Sequence, residues 1–160
     1  MIYGCALSRF GVVRYTGWVK VLGLDIGEKR IGFAVGDTDA LIAMPLCVMP
    51  AQEVFAHSRA FCQLVKDHEP ELLVAGLPLS LDGQEDKQAL RVKGEAEGLA
   101  AFLQLPLVFQ DERLSSAQAK RYLRQAGFTE KEMRGKIDKL AASLVLEAYL
   151  DAHYAKPQGS

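Results

Sequence analysis

Apolar residues along the chain switch between two rhythms, and each switch marks a change of element. From Val21 to Ile26 the chain is apolar except for one carboxylate, Asp25, and reads as a strand buried on both faces. Gly27-Glu28-Lys29-Arg30 is a tight link to a second run, Ile31 to Val35, so the two form a hairpin. Leu41 to Val48 gives a third extended stretch, which Pro45 confines to a sheet edge. Helical spacing takes over from about Gln52 to Asp67, through Val54, Phe55, Phe61, Cys62 and Val65, and Pro70 ends it. Leu72-Leu73-Val74-Ala75 is a short buried strand running into the turn-rich Gly76–Gly83. A helix from about Lys87 to Leu103 and a strand at Leu107–Phe109 follow. Ser115-Ser116-Ala117-Gln118 fits a capping box whose helix Gly127 stops, and Thr129-Glu130-Lys131-Glu132 offers a second box. The last helix runs from about Ile137 to Tyr154.

The order β-β-β-α-β-α-β-α-α predicts an α/β fold with a mixed five-stranded sheet and helices on both faces. Residues 21–154 suffice for one domain, and 155–160 read as a tail. Residues 1–20 form an N-terminal extension in which glycines and basic residues interrupt a strand-like Val12-Val13-Tyr15, so its order stays open.

Composition narrows the function classes. A chain of 160 residues, 49% apolar, holds one proper core and not two. With a net charge of −1, any contact with nucleic acid must come from a local basic patch rather than from bulk charge. Cys5, Cys47 and Cys62 match neither a disulfide framework nor a zinc spacing, which fits a reducing cytoplasm. The start lacks the features of a signal peptide and no apolar run is long enough to span a bilayer, so a cytoplasmic protein without a membrane partner is expected.

Three acidic residues stand where a fold-only argument expects apolar ones. Asp25 sits in a central strand, where ionisation costs several kcal/mol in rough terms unless compensated. It either caps the Gly27 turn or holds a cation, and the strand alone does not decide. On the wheel of the last helix, Lys139, Ser143, Glu147 and Asp151 make the wet stripe, while Asp138 aligns with Ala142, Val145 and Tyr149. The helix macrodipole explains an Asp in a first turn. It does not explain one on the dry face. Glu112 follows the strand Leu107–Phe109, a common place for an active-site acid, with Asp111 as its rival because neighbouring residues face opposite ways. Carboxylates without a Cys or His cluster suit Mg²⁺ or Mn²⁺, and two such ions can activate water against a phosphodiester. His57, His68 and His153 sit in helical or tail contexts and read as surface residues.

Four motifs in order, Leu24-Asp25-Ile26-Gly27-Glu28-Lys29-Arg30-Ile31-Gly32, Gly76-Leu77-Pro78-Leu79 through Asp82-Gly83, Asp111-Glu112-Arg113-Leu114-Ser115-Ser116 and Ile137-Asp138-Lys139-Leu140-Ala141-Ala142, resemble the YqgF/RuvX family. The match covers about Val21 to Asp151. The resemblance implies an RNase H-like fold, a nuclease processing the 5′ end of precursor 16S rRNA, and Asp25, Glu112 and Asp138 as the catalytic, metal-holding triad. Some members are described as Holliday-junction resolvases. The chain departs from the family pattern in its N-terminal extension and in Ser115-Ser116, where threonine is usual.

Around those acids, Lys29, Arg30 and Arg113 become the expected substrate-binding residues, holding phosphates without reading sequence. Lys120, Arg121, Arg124, Lys131, Arg134, Lys136 and Lys139 make the following segment locally basic, although a solvated helix face explains any one of them alone. The expected partner is nucleic acid, RNA favoured over DNA. A resolvase acting on branched DNA and a non-catalytic binding module are the alternatives. An actin-like phosphotransferase needs two lobes and is discounted. Monomer and homodimer remain undecided.

Overall fold

The strand expected at Val21 lies at the centre of the sheet in the computed structural model, which describes residues 17–80, 82–112, 121 and 123–154, the side chains at 135, 137 and 138 excepted. β1 (Lys20–Ile26), β2 (Arg30–Asp37) and β3 (Ala43–Pro50) form an antiparallel meander. β4 (Leu72–Leu77) pairs in parallel with β1, and β5 (Leu107–Asp111) with β4, giving the order β3-β2-β1-β4-β5.

Strand alternation sorts the core into two layers. Leu22, Leu24 and Ile26 of β1 pack with Phe33, Phe61, Val92 and Leu99, under α1 (Ala51–Phe55), α2 (Arg59–His68) and α3 (Lys87–Leu103). Val19 and Val21 pack on the opposite face with Ala142, Val145, Leu146 and Leu150 of the long helix α4 (Glu130–Tyr154). Helices therefore cover both faces, as the pattern predicts. A Cβ at Gly23 would lie 2.9 Å from Leu146 Cβ and 3.0 Å from the Ala142 carbonyl oxygen, so α4 rests directly on the β1 backbone.

Several boundaries differ from the sequence reading, each for a local reason. The helix expected over residues 52–67 is two, because the Ser58 hydroxyl accepts from Phe61 N–H at 3.3 Å and starts a new helix, while His57 turns the chain with φ 53°. β4 and β5 run two residues past their apolar stretches, since Gly76 and Leu77 pair with Gln110 and Asp111. β3 is an edge strand as expected, with an irregular register opposite Phe33 and Ala34 beside Pro45. α4 starts at Glu130 rather than near Ile137. The Thr129 capping box starts it: Glu132 N–H donates to Thr129 Oγ1 at 3.3 Å, and Thr129 N–H donates to Glu132 Oε2 at 2.8 Å. The helix continues through Gly135.

Gly127, with φ 88°, stops the preceding helical segment, and Phe128 N–H returns to the Leu123 carbonyl at 3.1 Å. The capping box expected at Ser115-Ser116 lies outside the described residues. Ala142, Val145 and Tyr149 are buried as expected. Ser143, expected on the wet stripe, is buried too; its hydroxyl donates to the Leu140 carbonyl at 2.7 Å and so is satisfied within its own helix. Among the described residues no helix is long and apolar enough to cross a membrane.

Candidate active site

The parallel strands β1, β4 and β5 end at one edge of the sheet, and the acids converge there. Asp25 shares the α4 side of β1 with Val21 and Gly23, because Leu22, Leu24 and Ile26 point to the other core. Glu112 directly follows β5. Its N–H donates to the Leu77 carbonyl at 3.2 Å, which holds it in line with the strand, and alternation from Val108 sets it on the α4 side too. Asp111 falls to the opposite parity, alongside Leu107 and Phe109, which pack with the other core. Glu112 is thus the one of the rival pair that faces Asp25.

β4 lies between the two acids, and its residue at this level is Gly76. A Cβ there would overlap Glu112 Oε1 and lie 2.7 Å from Glu112 Cγ and Cδ. The Glu112 side chain crosses the bare glycine to reach Asp25. By pattern alone Gly76 starts a turn-rich segment, which hides this role. The available signal was a glycine continuing an apolar strand, where close approach of another group is a standard reason for it.

Electrostatics make this contact unusual. The Glu112 carboxyl holds its proton up to about pH 8, against an ordinary 4.5. Burial is the main cause, followed by the Asp25 charge, a hydrogen bond with the Asp25 side chain, and the Asp111 charge. Two carboxyl groups in contact cannot both ionise cheaply. They need either a shared proton or a cation between them.

On the hairpin side of Asp25 an open cleft of about 190 Å³ is lined by Asp25, Gly27, Lys29, Arg30, Gly32 and Val48. Asp25, Gly32 and Val48 share one register row across β1, β2 and β3, so the cleft is a continuation of the acid site. Gly27 N–H donates to the Arg30 carbonyl at 2.9 Å, and a Cβ at Gly27 would lie 2.8 Å from that oxygen, so the tight turn requires glycine. Lys29 and Arg30 are both exposed at its rim. On the other flank, the loop after β4 is held by Gln84 N–H donating to Asp82 Oδ1 at 3.0 Å and Gly83 N–H donating to the Ser80 carbonyl at 2.8 Å.

Asp138 belongs to α4, one turn before Ala142, and its side chain lies outside the described residues, as does all of Arg113. Among the described residues no three His, Cys, Asp or Glu side chains cluster as metal ligands. Two of the three histidines are engaged elsewhere: His57 stacks on Phe102 with ring centroids 3.5 Å apart, and His153 Nδ1 lies 2.9 Å from the Tyr149 carbonyl oxygen.

A three-stranded meander continued by two parallel strands, with helices on both faces, is the architecture of the RNase H-like class. The solved structure of T. thermophilus RuvC in complex with Holliday junction substrate shares this fold at a TM-score of 0.50 and 17% identity, covering 84% of this chain and 94% of that one. A family model described as "RuvX: Holliday junction resolvase" matches residues 19–152. The chain belongs to this RuvX (YqgF) family of nucleases. Its relatives include a Chloroflexus aggregans protein, 39% identical over 82% of this chain and 93% of that protein. Another, from Anaeromyxobacter sp., is 36% identical over 86% of this chain and 100% of that protein. Each is named "Putative pre-16S rRNA nuclease".

Proposed function

We propose that this chain is a divalent-metal-dependent nuclease that processes the 5′ end of precursor 16S rRNA, with Asp25, Glu112 and Asp138 as its acidic ligands. The observation that carries the reading is the Asp25–Glu112 pair, two carboxyl groups folded against each other at the carboxyl end of the parallel strands. All-oxygen donors of this kind fit Mg²⁺ or Mn²⁺, and a cation would relieve the repulsion that otherwise retains a proton on Glu112. When bound there, one or two such ions supply Lewis acidity, making a nucleophile of water and stabilising the leaving oxygen of the phosphodiester.

The remaining roles belong to the chain itself. Asp25 and Glu112 hold the charge that localises the cations, and α4, the helix that carries Asp138, covers the same face of the sheet. Lys29 and Arg30, at the rim of the adjoining cleft, hold the phosphates of the strand being cut, and Arg113 does so beside Glu112. The names carried by the relatives support a ribosomal RNA precursor as substrate and hence a cytoplasmic site of action.

The description of the matching family model favours a second reading, the same hydrolysis on a four-way DNA junction. A cleavage panel separates the two. Purified protein is given a precursor-rRNA-like fragment, an unrelated single-stranded RNA and a four-way junction, each with Mg²⁺, Mn²⁺ or EDTA. The RNA reading predicts metal-dependent cutting of the precursor fragment in preference to the junction. Preference for the junction establishes the resolvase reading. No cleavage of any substrate with either metal contradicts both.

A further inference from the structure

The first two turns of α4 overhang the active-site end of the sheet. Ala142 packs at the level of Gly23, two residues before Asp25 on β1, so position 138, one turn earlier on the helix, lies near the level of Asp25. β1 ends one residue beyond Asp25, while α4 continues back for eight residues before 138. At about 1.5 Å per residue, that is roughly 12 Å of helix beyond the acids.

The register of this overhang is selective. Lys131 and Arg134 lie seven and four residues before 138, on the same stripe that later carries Ala142, Val145 and Tyr149 down onto the sheet. Both are exposed, and neither makes an ion pair among the described residues. Two other cations of this segment are engaged. Arg124 Nη2 pairs with Glu130 Oε1 at 3.0 Å, and Lys136 Nζ sits 4.6 Å from the centre of the Phe128 ring. Met133, on a different side of the overhang, is buried.

We propose that Lys131 and Arg134 form a phosphate track that carries a single nucleic-acid strand away from the acid site. The reach from 138 to 131 is about 10 Å, which at about 3.4 Å per stacked nucleotide places the contacts within two or three nucleotides of the cut. The inference rests on the nuclease reading, and its test is made on binding rather than cleavage.

Affinity for a single-stranded RNA oligonucleotide is measured in EDTA across a salt series for the wild-type chain and two variants of equal charge. One is Lys131→Gln with Arg134→Gln. The other is Arg59→Gln with Lys66→Gln, two exposed positions on α2 across the sheet. The track variant is expected to bind at least about tenfold more weakly, with the slope of log K against log salt reduced by about 1.4, which is two phosphate contacts on a single strand. The α2 variant should match wild type. A melting temperature equal to wild type in both variants excludes unfolding, and Arg134→Lys should restore most of the binding. An unchanged slope in the track variant, or an equal loss in the α2 variant, overturns the track while leaving the nuclease reading intact. Failure of the wild-type chain to bind any strand overturns both.

Discussion

Asp25→Asn is expected to lower cleavage by at least about a thousandfold, equivalent to about 4 kcal/mol of transition-state stabilisation, while making the metal-free protein more stable at neutral pH. The two effects have one cause. Removing the Asp25 charge takes away a proposed cation ligand and also relieves the repulsion acting on Glu112. A residue that merely supported the fold would lose both activity and stability.

The pH dependence gives the same contrast. Because the folded protein raises the Glu112 carboxyl from 4.5 to about 8, it binds that proton more tightly than the unfolded chain does. Its contribution to stability is complete below about pH 4.5 and is lost as the pH rises toward 8, amounting to a few kcal/mol. Thermal denaturation of the metal-free protein should show that decline. In Asp25→Asn the decline should be shallower but not abolished, since burial remains. Full cleavage by the variant, or a steeper fall of its melting temperature with pH, would remove the paired-acid account.

The second large effect is expected at a residue with no side chain. Gly76→Ala places a methyl group in the space that the Glu112 side chain crosses. β4 is buried along its whole length and cannot shift to make room, so Glu112 must swing away from Asp25. Cleavage should fall about a hundredfold, the usual consequence of moving a reacting group by an ångström. Stability should fall by about 1–3 kcal/mol from overpacking. Activity alone does not separate those effects, so Mn²⁺-induced stabilisation is the decisive reading. Wild type should gain about 2.7 kcal/mol at a hundred times its dissociation constant, and the variant much less at the same concentration. A variant with wild-type Mn²⁺ stabilisation and activity would show that Glu112 reaches Asp25 by another path.

Most of the fold is legible in the sequence because binary patterning reports burial. α3 begins and ends where its apolar spacing does, and the β1–β2 turn falls where Gly27 predicts it. Patterning fails where a single polar contact outweighs it. Ser58 divides one amphipathic stretch into two helices, and Thr129 starts α4 well before its apolar stripe becomes clear. Ser143 reads as wet because its hydroxyl is polar, yet a bond to its own helix lets it be buried. At the site, Asp25 and Glu112 are legible as acids at the carboxyl ends of strands. The choice of Glu112 over Asp111 follows from strand parity, once β5 extends to Asp111. Gly76 was not legible, since what it accommodates comes from just past the end of β5, more than thirty residues away.

In the proposed mechanism Asp25 and Glu112 grip a divalent cation together. Anomalous scattering from crystals soaked in Mn²⁺ tests it most directly. A manganese peak bonded to oxygens of both carboxylates, at about 2.0–2.3 Å, is the predicted result. Saturating Mn²⁺ that leaves Asp25 and Glu112 hydrogen-bonded to each other, with no peak between them, would contradict it.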